Sequence, residues 1–445
     1  MNNRELKKKF FDFEKKYNLF DLKTKDGYFW WDIVRYHVYV DILSQAIRKN
    51  NDIPSANSRN ILKTVNFVFK DIFYILKNIF RNIDYFFFLY PRSIDKDGFS
   101  TDYICHDTLS LLSKNSFLID GLKTNNMKDK SYSNILLQVI RKIFLRKNRK
   151  YDLGIQRIDE LFYTEFGVKG EFKKKIANNI AIFEADILYY NLLFSIVGPK
   201  IVFMVAAGRE KGLMYACQKK EIKTVELQHG QINSFHMYYS YPLDIDFSNL
   251  KTVPYAFCSF STYWHDTNYP VKTKIDIGNS AYSIPLKKDG NNILVVTHGI
   301  YMQNLFPLMK ELSLSIKDRK IIVKLHPEQR GAVESIKLEL KEFNNIEVIF
   351  NEKKIMDIFN ECSSMVAIQS TTVYEALQVG VKVFLYKKQD YYSHDDLFGS
   401  KNLYLVDNVQ KIVDNSDHQF VEDKKMIFFK KFDEVKFLNF IDELK

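Results

Sequence analysis

Histidines and hydroxyl-bearing residues recur where short apolar runs end, and there this chain concentrates its capacity for chemistry. The fullest group is Gln369-Ser370-Thr371-Thr372-Val373-Tyr374-Glu375-Ala376-Leu377, followed by Gly380. Met365–Ile368 ahead of it reads as a strand and Val373–Val379 as a helix, so Ser370 or Thr371 is placed as the helix N-cap. Hydroxyls and free backbone N–H groups at such a turn, with Thr372 among them, suit a phosphate or pyrophosphate. Glu375 lies about one turn further along, where its carboxylate can accept hydrogen bonds from ribose hydroxyls. Alone, this motif is equally well explained as ordinary capping beside a solvated Glu. Two further strand ends decide the matter. Lys324-Leu325-His326-Pro327-Glu328 closes one, and Pro327 restricts His326 to extended backbone, presenting the imidazole at the sheet edge. Thr297-His298-Gly299 closes the other, and Gly299 lets a ligand approach the main chain closely. Three strand ends with phosphate-compatible groups predict one nucleotide site, contacted by Thr297, His298, Gly299, Lys324, His326, Pro327, Ser370, Thr371, Thr372 and Glu375.

A different chemistry is written earlier in the chain. His229 follows the apolar run Thr224–Leu227 within Gln228-His229-Gly230. An imidazole there titrates near neutrality and can take a proton from an acceptor hydroxyl. Glu226, three residues upstream, points to the opposite face by strand alternation and is a poor partner for His229. In Gly208-Arg209-Glu210-Lys211-Gly212, Glu210 is a rival base and Arg209 a clamp for phosphate or acceptor. His236 and Tyr238, beside Tyr239, are expected to shape an acceptor pocket. Tyr28–Tyr39 reads as a core helix with an Asp32–Arg35 contact, or else as an aromatic and Arg face for stacking on a sugar.

These residues need elements to position them. Short apolar runs alternate with helix-length segments from Lys200 onward, the mark of βα units and a parallel sheet. Strands are expected at Ile201–Ala206, Thr224–Leu227, Tyr255–Phe260 and Lys274–Ile277. After a polar break over Ser283–Asn292 a second series begins, at Ile293–Thr297, Lys320–Leu325, Ile346–Phe350, Met365–Ile368, Val381–Tyr386 and Leu403–Val406. Before residue 150 only Tyr85–Tyr90 reads as a buried strand. The expected fold is α/β, with two Rossmann-like doubly wound domains facing a cleft. One domain covers 1–287, a nucleotide-binding domain 288–423, and a C-terminal helix over 424–445 packs back across both.

Length and composition bound these readings. The chain has 445 residues, 46% hydrophobic and 27% charged, which suits globular domains and excludes a disordered or fibrous chain. Its net charge of +11 is evenly spread and no nucleic-acid-binding motif accompanies it, which disfavours a polyanion-binding module. Cys105, Cys217, Cys258 and Cys362 are far apart, and Asp244-Ile245-Asp246 has no strand context, so neither a metal nor a resident cofactor is expected. The start of the chain is charged and amphipathic, unlike a signal peptide. No run of about 18 apolar residues is found, the nearest being the interrupted Val65–Tyr90. The protein is therefore expected in the cytoplasm, and Arg141–Lys150 offers a basic run for peripheral contact with the inner membrane.

The His326-Pro327 element, the downstream Ser370-Thr371-Thr372 and the two-domain layout resemble the GT-B glycosyltransferases of bacterial capsule and O-antigen assembly. Sialyl- and Kdo-transferases that use CMP-sugars are similar at both motifs, which in them hold CMP. Gln228-His229-Gly230 resembles the element of CDP-alditol phosphotransferases whose His acts as base. The resemblance covers about Lys200–Val406. It implies a metal-independent transferase using a CMP- or UDP-linked sugar, with a surface-polysaccharide or lipid-linked glycan as acceptor. Transfer of glycerol or ribitol phosphate from a CDP-alditol and nucleotide-sugar epimerisation are the alternatives on the same fold.

Overall fold

Tyr85-Phe86-Phe87-Phe88-Leu89 has no position that tolerates water on either side, and it forms a strand buried along its whole length. Strands of this kind need covering on both faces, which helices between parallel strands provide. The computed structural model describes residues 3–45, 61–91, 93–94, 98–121, 134–147, 149–282, 290–388, 390–422 and 426–445, the side chains of 61–65 and 93–94 excepted. Two compact units emerge, 1–281 together with 431–445, and 282–430. The expected junction near residue 287 and the expected tail start at 424 lie outside the described residues.

The first unit opens with helices α1 (Asn3–Lys16), α2 (Trp30–Leu43) and α3 (Ile61–Lys77). Strand β1 (Tyr85–Leu89), the two-residue pair β2 (Ser93–Ile94) and β3 (Ser100–Thr101), α4 (His106–Leu112) and β4 (Ser116–Asp120) come after them. Next are α5 (Ile135–Arg146), α6 (Ile158–Phe166), α7 (Phe172–Val197), β5 (Ile201–Val205), α8 (Lys211–Lys219), β6 (Lys223–Leu227), β7 (Ala256–Ser259) and β8 (Thr273–Asp276). Its six-stranded sheet runs β4-β1-β5-β6-β7-β8, with every pairing parallel.

The second unit contains β9 (Asn292–Val296), α9 (Met302–Ser315), β10 (Ile321–Lys324), α10 (Val333–Leu340), β11 (Ile346–Ile349) and α11 (Ile355–Asn360). It ends with β12 (Cys362–Ala367), α12 (Thr372–Gln378), β13 (Lys382–Tyr386), β14 (Leu403–Val406) and α13 (Val409–Asn415). Its sheet, also parallel throughout, runs β11-β10-β9-β12-β13-β14. The last helix, α14 (Glu434–Leu444), belongs to the first unit. Phe437 meets Phe203 of β5 there, and the Asp433 N–H donates to the Ile277 carbonyl.

Two doubly wound, Rossmann-like α/β units are thus present. In the second, numbering strands by appearance gives the order 3-2-1-4-5-6, and the direction of winding reverses between β9 and β12. In the first unit the same numbering gives 2-1-3-4-5-6, with the reversal between β1 and β5. Ligands of such sheets lie beyond the carboxyl ends of the strands at these points.

No span-length apolar segment is expected from the sequence, and here the structure differs. α7 is 26 residues long and, by length and hydropathy, sufficient to cross a bilayer. Yet 67% of its most apolar stretch is buried, and it packs against α2, α5 and α8 as a core helix. Its two acidic residues explain the interior placement. Asp186 takes a bidentate pair from Arg141 at 2.6 and 2.7 Å, and Glu184 accepts from Arg149 and Tyr151 at 2.6 and 2.9 Å. Arg141, expected within a basic run for membrane contact, is therefore a structural partner of α7. Gly212 of α8 lies so close to α7 that a Cβ would stand 2.3 Å from the Asp186 Cβ.

Helix α2 is core, not a sugar-stacking face. Trp30 and Trp31 are wholly buried, with Trp31 Nε1 donating to Glu14 at 2.7 Å and Trp30 Nε1 to the Leu153 carbonyl at 3.1 Å. The expected Asp32–Arg35 contact is replaced by two others. Arg35 grips Glu14 of α1 at 2.8 and 3.1 Å and donates to the Met237 and Ser240 carbonyls, while Asp32 takes Lys211 at 2.6 Å. Carboxylates buried this deeply need an adjacent cation, and here each cation comes from another element. Arg35→Met should therefore lower the stability of the first unit by about 3–5 kcal/mol in urea unfolding, with Glu14→Gln restoring part of the loss in the double variant. A cost below about 1 kcal/mol would show that Glu14 finds another partner.

Candidate functional site

In the second unit the three expected motifs converge on the reversal between β9 and β12. Thr297 and His298 leave the end of β9, His326 the end of β10, and Gln369–Thr372 the end of β12. His326 has the extended backbone that Pro327 demands (φ −69°, ψ 146°), and its ring centroid lies 4.7 Å from that of His298. Gln329 holds this edge together. Its Oε1 accepts from Thr297 Oγ1 at 2.7 Å and from the His326 N–H at 2.8 Å. Its Nε2 is buried without a partner among the described residues. Tyr301, opening the turn after Gly299, places its hydroxyl 2.7 Å from both Gln369 Oε1 and Asp390 Oδ2. Burial holds the His326 pKa below its ordinary value, against the pull of Glu328, so the ring is neutral at pH 7.

The turn before α12 departs from expectation. Ser370 Oγ accepts from the Thr372 N–H at 3.2 Å, and no side-chain cap comes from Thr371. The backbone donors expected to be free for an anion are occupied. The Ser370 N–H goes to His394 Nε2 at 3.2 Å and the Val373 N–H to the Ser370 carbonyl at 3.1 Å. Burial lowers the His394 pKa to about 3, which keeps the ring neutral and able to accept. Lys324 also differs, its ammonium turned onto the Phe350 carbonyl at the end of β11. Glu375 stands apart from all of these. It is 7% exposed, and among the described residues its carboxylate has no hydrogen-bond partner. Burial alone raises its pKa to about 7.

The second cluster lies beyond β5 and β6 of the first unit. Glu226 does not bond His229 directly, but Tyr239 lies between them. Tyr239 OH donates to Glu226 Oε1 at 2.7 Å and lies 3.5 Å from His229 Nδ1. Glu226 also accepts from Tyr269 OH at 2.7 Å and from the Ala207 N–H at 2.9 Å. That last bond supports Ala206 in the left-handed region (φ 58°), where a side chain is otherwise strained. The turn so formed carries Gly208, Arg209 and Glu210. Gly208 lies flat beneath Tyr238, whose ring would be 2.1 Å from any Cβ. Tyr238 stacks on Tyr36 of α2 at 3.8 Å, and His236 lies 4.8 Å from Tyr239. Arg209 is exposed. Burial, with Arg209 nearby, lowers the His236 pKa to about 4.

Glu210 is buried at the reversal between β1 and β5. Tyr90, next after β1, donates to its Oε1 at 2.6 Å, and its Oε2 has no partner among the described residues. Burial raises its pKa to about 7 despite the charge of Arg141. A cavity of about 300 Å³ lies beside Tyr36 and is lined by His37, Asp41, Lys175 and Asn179. The structure thus gathers His229, Glu210, Arg209, His236 and Tyr238 in one unit and the expected nucleotide-binding residues in the other.

Tyr90, Gln329, Tyr301, His394 and Asp390 were missed by sequence reasoning. The run Tyr391-Tyr392-Ser393-His394-Asp395-Asp396, directly after a strand, was a signal of the same kind as those used. Among the described residues, His298, His326 and Glu328 also place ligand atoms within 4.8 Å of one another, a set able to hold a divalent ion.

No family model matches the chain, and no curated protein matches it. Among solved structures it is similar to the UDP-GlcNAc 2-epimerase of Methanocaldococcus jannaschii, at 12% identity, 81% of this chain, 100% of that one and a TM-score of 0.47. It is also similar to the UDP-GlcNAc 2-epimerase of Neisseria meningitidis, at 12% identity, 74% and 90% coverage and a TM-score of 0.43. Acinetobacter baumannii MurG is similar at 13% identity, 74% and 87% coverage and a TM-score of 0.41. At these identities the likeness extends to the fold and no further.

Glu375 makes its own prediction. Below pH 4.5 its carboxyl is protonated whether the chain is folded or not. Between about 4.5 and about 7 the unfolded chain ionises first, and folding loses up to about 3 kcal/mol as pH rises. Glu375→Gln should therefore raise the melting temperature at pH 8 by a few degrees and change it little at pH 4.5. A lower melting temperature for the variant at pH 8 would mean that the carboxylate is already satisfied.

Proposed function

We propose that the protein is a glycosyltransferase that moves a sugar from a CMP- or UDP-linked donor to a surface-polysaccharide or lipid-linked glycan in capsule or O-antigen synthesis. It would act at the cytoplasmic face of the inner membrane, without a metal. The observation that carries the reading is Glu375, a residue 7% exposed whose carboxylate takes no hydrogen bond from the described residues, beside the β9/β12 reversal, where the strand order calls for a ligand. Two ribose hydroxyls are the donors it lacks. His326 and His298 then face the phosphates, with the hydroxyls of Thr371 and Thr372 beside them.

In the proposed step the acceptor oxygen bonds to the anomeric carbon as the bond from that carbon to the phosphate oxygen breaks. The electron pair leaves with the nucleotide, and the acceptor proton passes to the base. His229 takes that role because it is half-buried and reachable, its Nδ1 side anchored near Tyr239 and Glu226. Glu210 is more enclosed and has one oxygen committed to Tyr90. Arg209, Tyr238 and His236 would border the acceptor.

Thermal shift with CMP, CDP, UDP, GDP and dTDP tests the site. A nucleotide at about 100 times its Kd should add roughly 2.7 kcal/mol of stability, and His326→Ala and Glu375→Gln should remove most of that shift. In product analysis His229→Ala should lower turnover by about 10²–10⁴-fold, and EDTA should leave it unchanged. CMP with a phosphodiester product would replace the reading with alditol-phosphate transfer. Turnover of the nucleotide-sugar without any acceptor would replace it with epimerisation. No shift with any nucleotide would remove the site itself.

A further inference from the structure

Helix α3 is amphipathic with its faces reversed. The side turned inward carries Asp71, Tyr74, Ile75 and Asn78. Asp71 Oδ2 accepts the Ile135 and Leu136 N–H groups at 2.9 and 3.0 Å, which fixes α3 to the start of α5, and Tyr74 meets Phe117 of β4 edge-on at 5.1 Å. The outward side carries Phe69, Ile72, Phe73 and Leu76, with Phe80 in the turn beyond the helix. Phe73 is 69% exposed and Phe80 97%. At about 100° per residue, Leu76, Phe69, Phe73, Lys77 and Lys70 follow one another in that order over an arc of about 120°, so the basic residues border the apolar ones.

The charge on this side has one sign. Asp71, the single acidic residue of α3, is buried and occupied as a cap, and α5 contains no acidic residue at all. α5 exposes Lys142, Ile143, Arg146 and Lys147, and Arg81 comes shortly after α3. α7 packs against both helices and exposes Leu188, Leu192 and Ile196 with no charge between them. A second copy of this chain meeting itself here would set lysines against lysines. A surface of phosphate head groups over acyl chains satisfies both the cations and the aromatic side chains.

We propose that α3, with the exposed side of α5, is the face by which this protein docks on an anionic phospholipid bilayer. The proposal gives a place on the fold to the membrane-borne acceptor of the proposed function, on which its purpose rests, but docking itself needs no nucleotide. The test is flotation of the full chain with vesicles of phosphatidylcholine containing 30% phosphatidylglycerol, and with phosphatidylcholine alone. Binding to the anionic vesicles should fall by roughly fivefold for each of Lys70→Glu and Lys77→Glu, and sharply in high salt. Phe73→Glu should lower it by about tenfold or more. Each of these side chains is exposed, and an unchanged melting temperature and nucleotide shift would show that each variant is folded. Equal binding to both vesicles, or undiminished binding by Phe73→Glu, overturns the proposal. So does sedimentation as a dimer that Phe73→Glu converts to monomer, which would assign the face to self-association. Loss of nucleotide binding with vesicle binding intact would instead overturn the proposed function and leave this face in place.

Discussion

A parallel sheet covered on both faces leaves its backbone polar groups satisfied within the ladder and its side chains in an apolar interior. Polar side chains can then gather only beyond the strand ends, and the winding order decides which ends stand open. Both sheets here obey that constraint. In the second unit the ends of β9 and β12 flank the reversal and carry Thr297, His298 and Gln369–Thr372. In the first, the ends of β1 and β5 flank it and carry Tyr90 and Glu210, joined by a 2.6 Å hydrogen bond. Neither concentration needs a separate cause.

The same constraint separates carboxylates that hold the fold from those that do not. Glu14, Asp32, Glu184 and Asp186 are buried against cations, and Glu226 accepts three donors. Their charges are matched by elements far away in sequence, so they lock helix to helix and turn to strand. Glu375 meets no cation among the described residues, burial alone acting on its carboxyl, and Glu210 is matched on one oxygen only. Both have pKa values raised to about 7 by burial. Both lie near a winding reversal, where the strand order leaves an opening beyond the sheet.

What the sequence disclosed comes from periodicity and local backbone chemistry. The strands from Ile201 onward read clearly because each is a short apolar run ended by a turn, and Pro327 fixed the backbone at His326. The strand order was not legible, since it depends on which strands pair. β4 was missed because Ser116–Asp120 is short and ends in an acid. Alternation describes side chains relative to their own strand, so it says nothing of Tyr239, which reaches Glu226 from a loop thirteen residues on. Arg35 illustrates the same limit. The helix offered Asp32 as its neighbour, but Glu14 of α1 took the guanidinium from another element. Sequence spacing predicts contacts within an element better than contacts between elements.

Amphipathicity carries a related ambiguity. A helical pattern in sequence shows that two faces differ, but it does not say which one meets the fold. For α2 and α7 the apolar side turns inward and the acids find cations. For α3 the cap that Asp71 provides to α5 requires the polar side to turn inward, and its aromatic side is left outside as a consequence. One buried carboxylate accepting two backbone N–H groups thus sets the orientation of a whole helix. It also determines which surface of the first unit is apolar and basic at once.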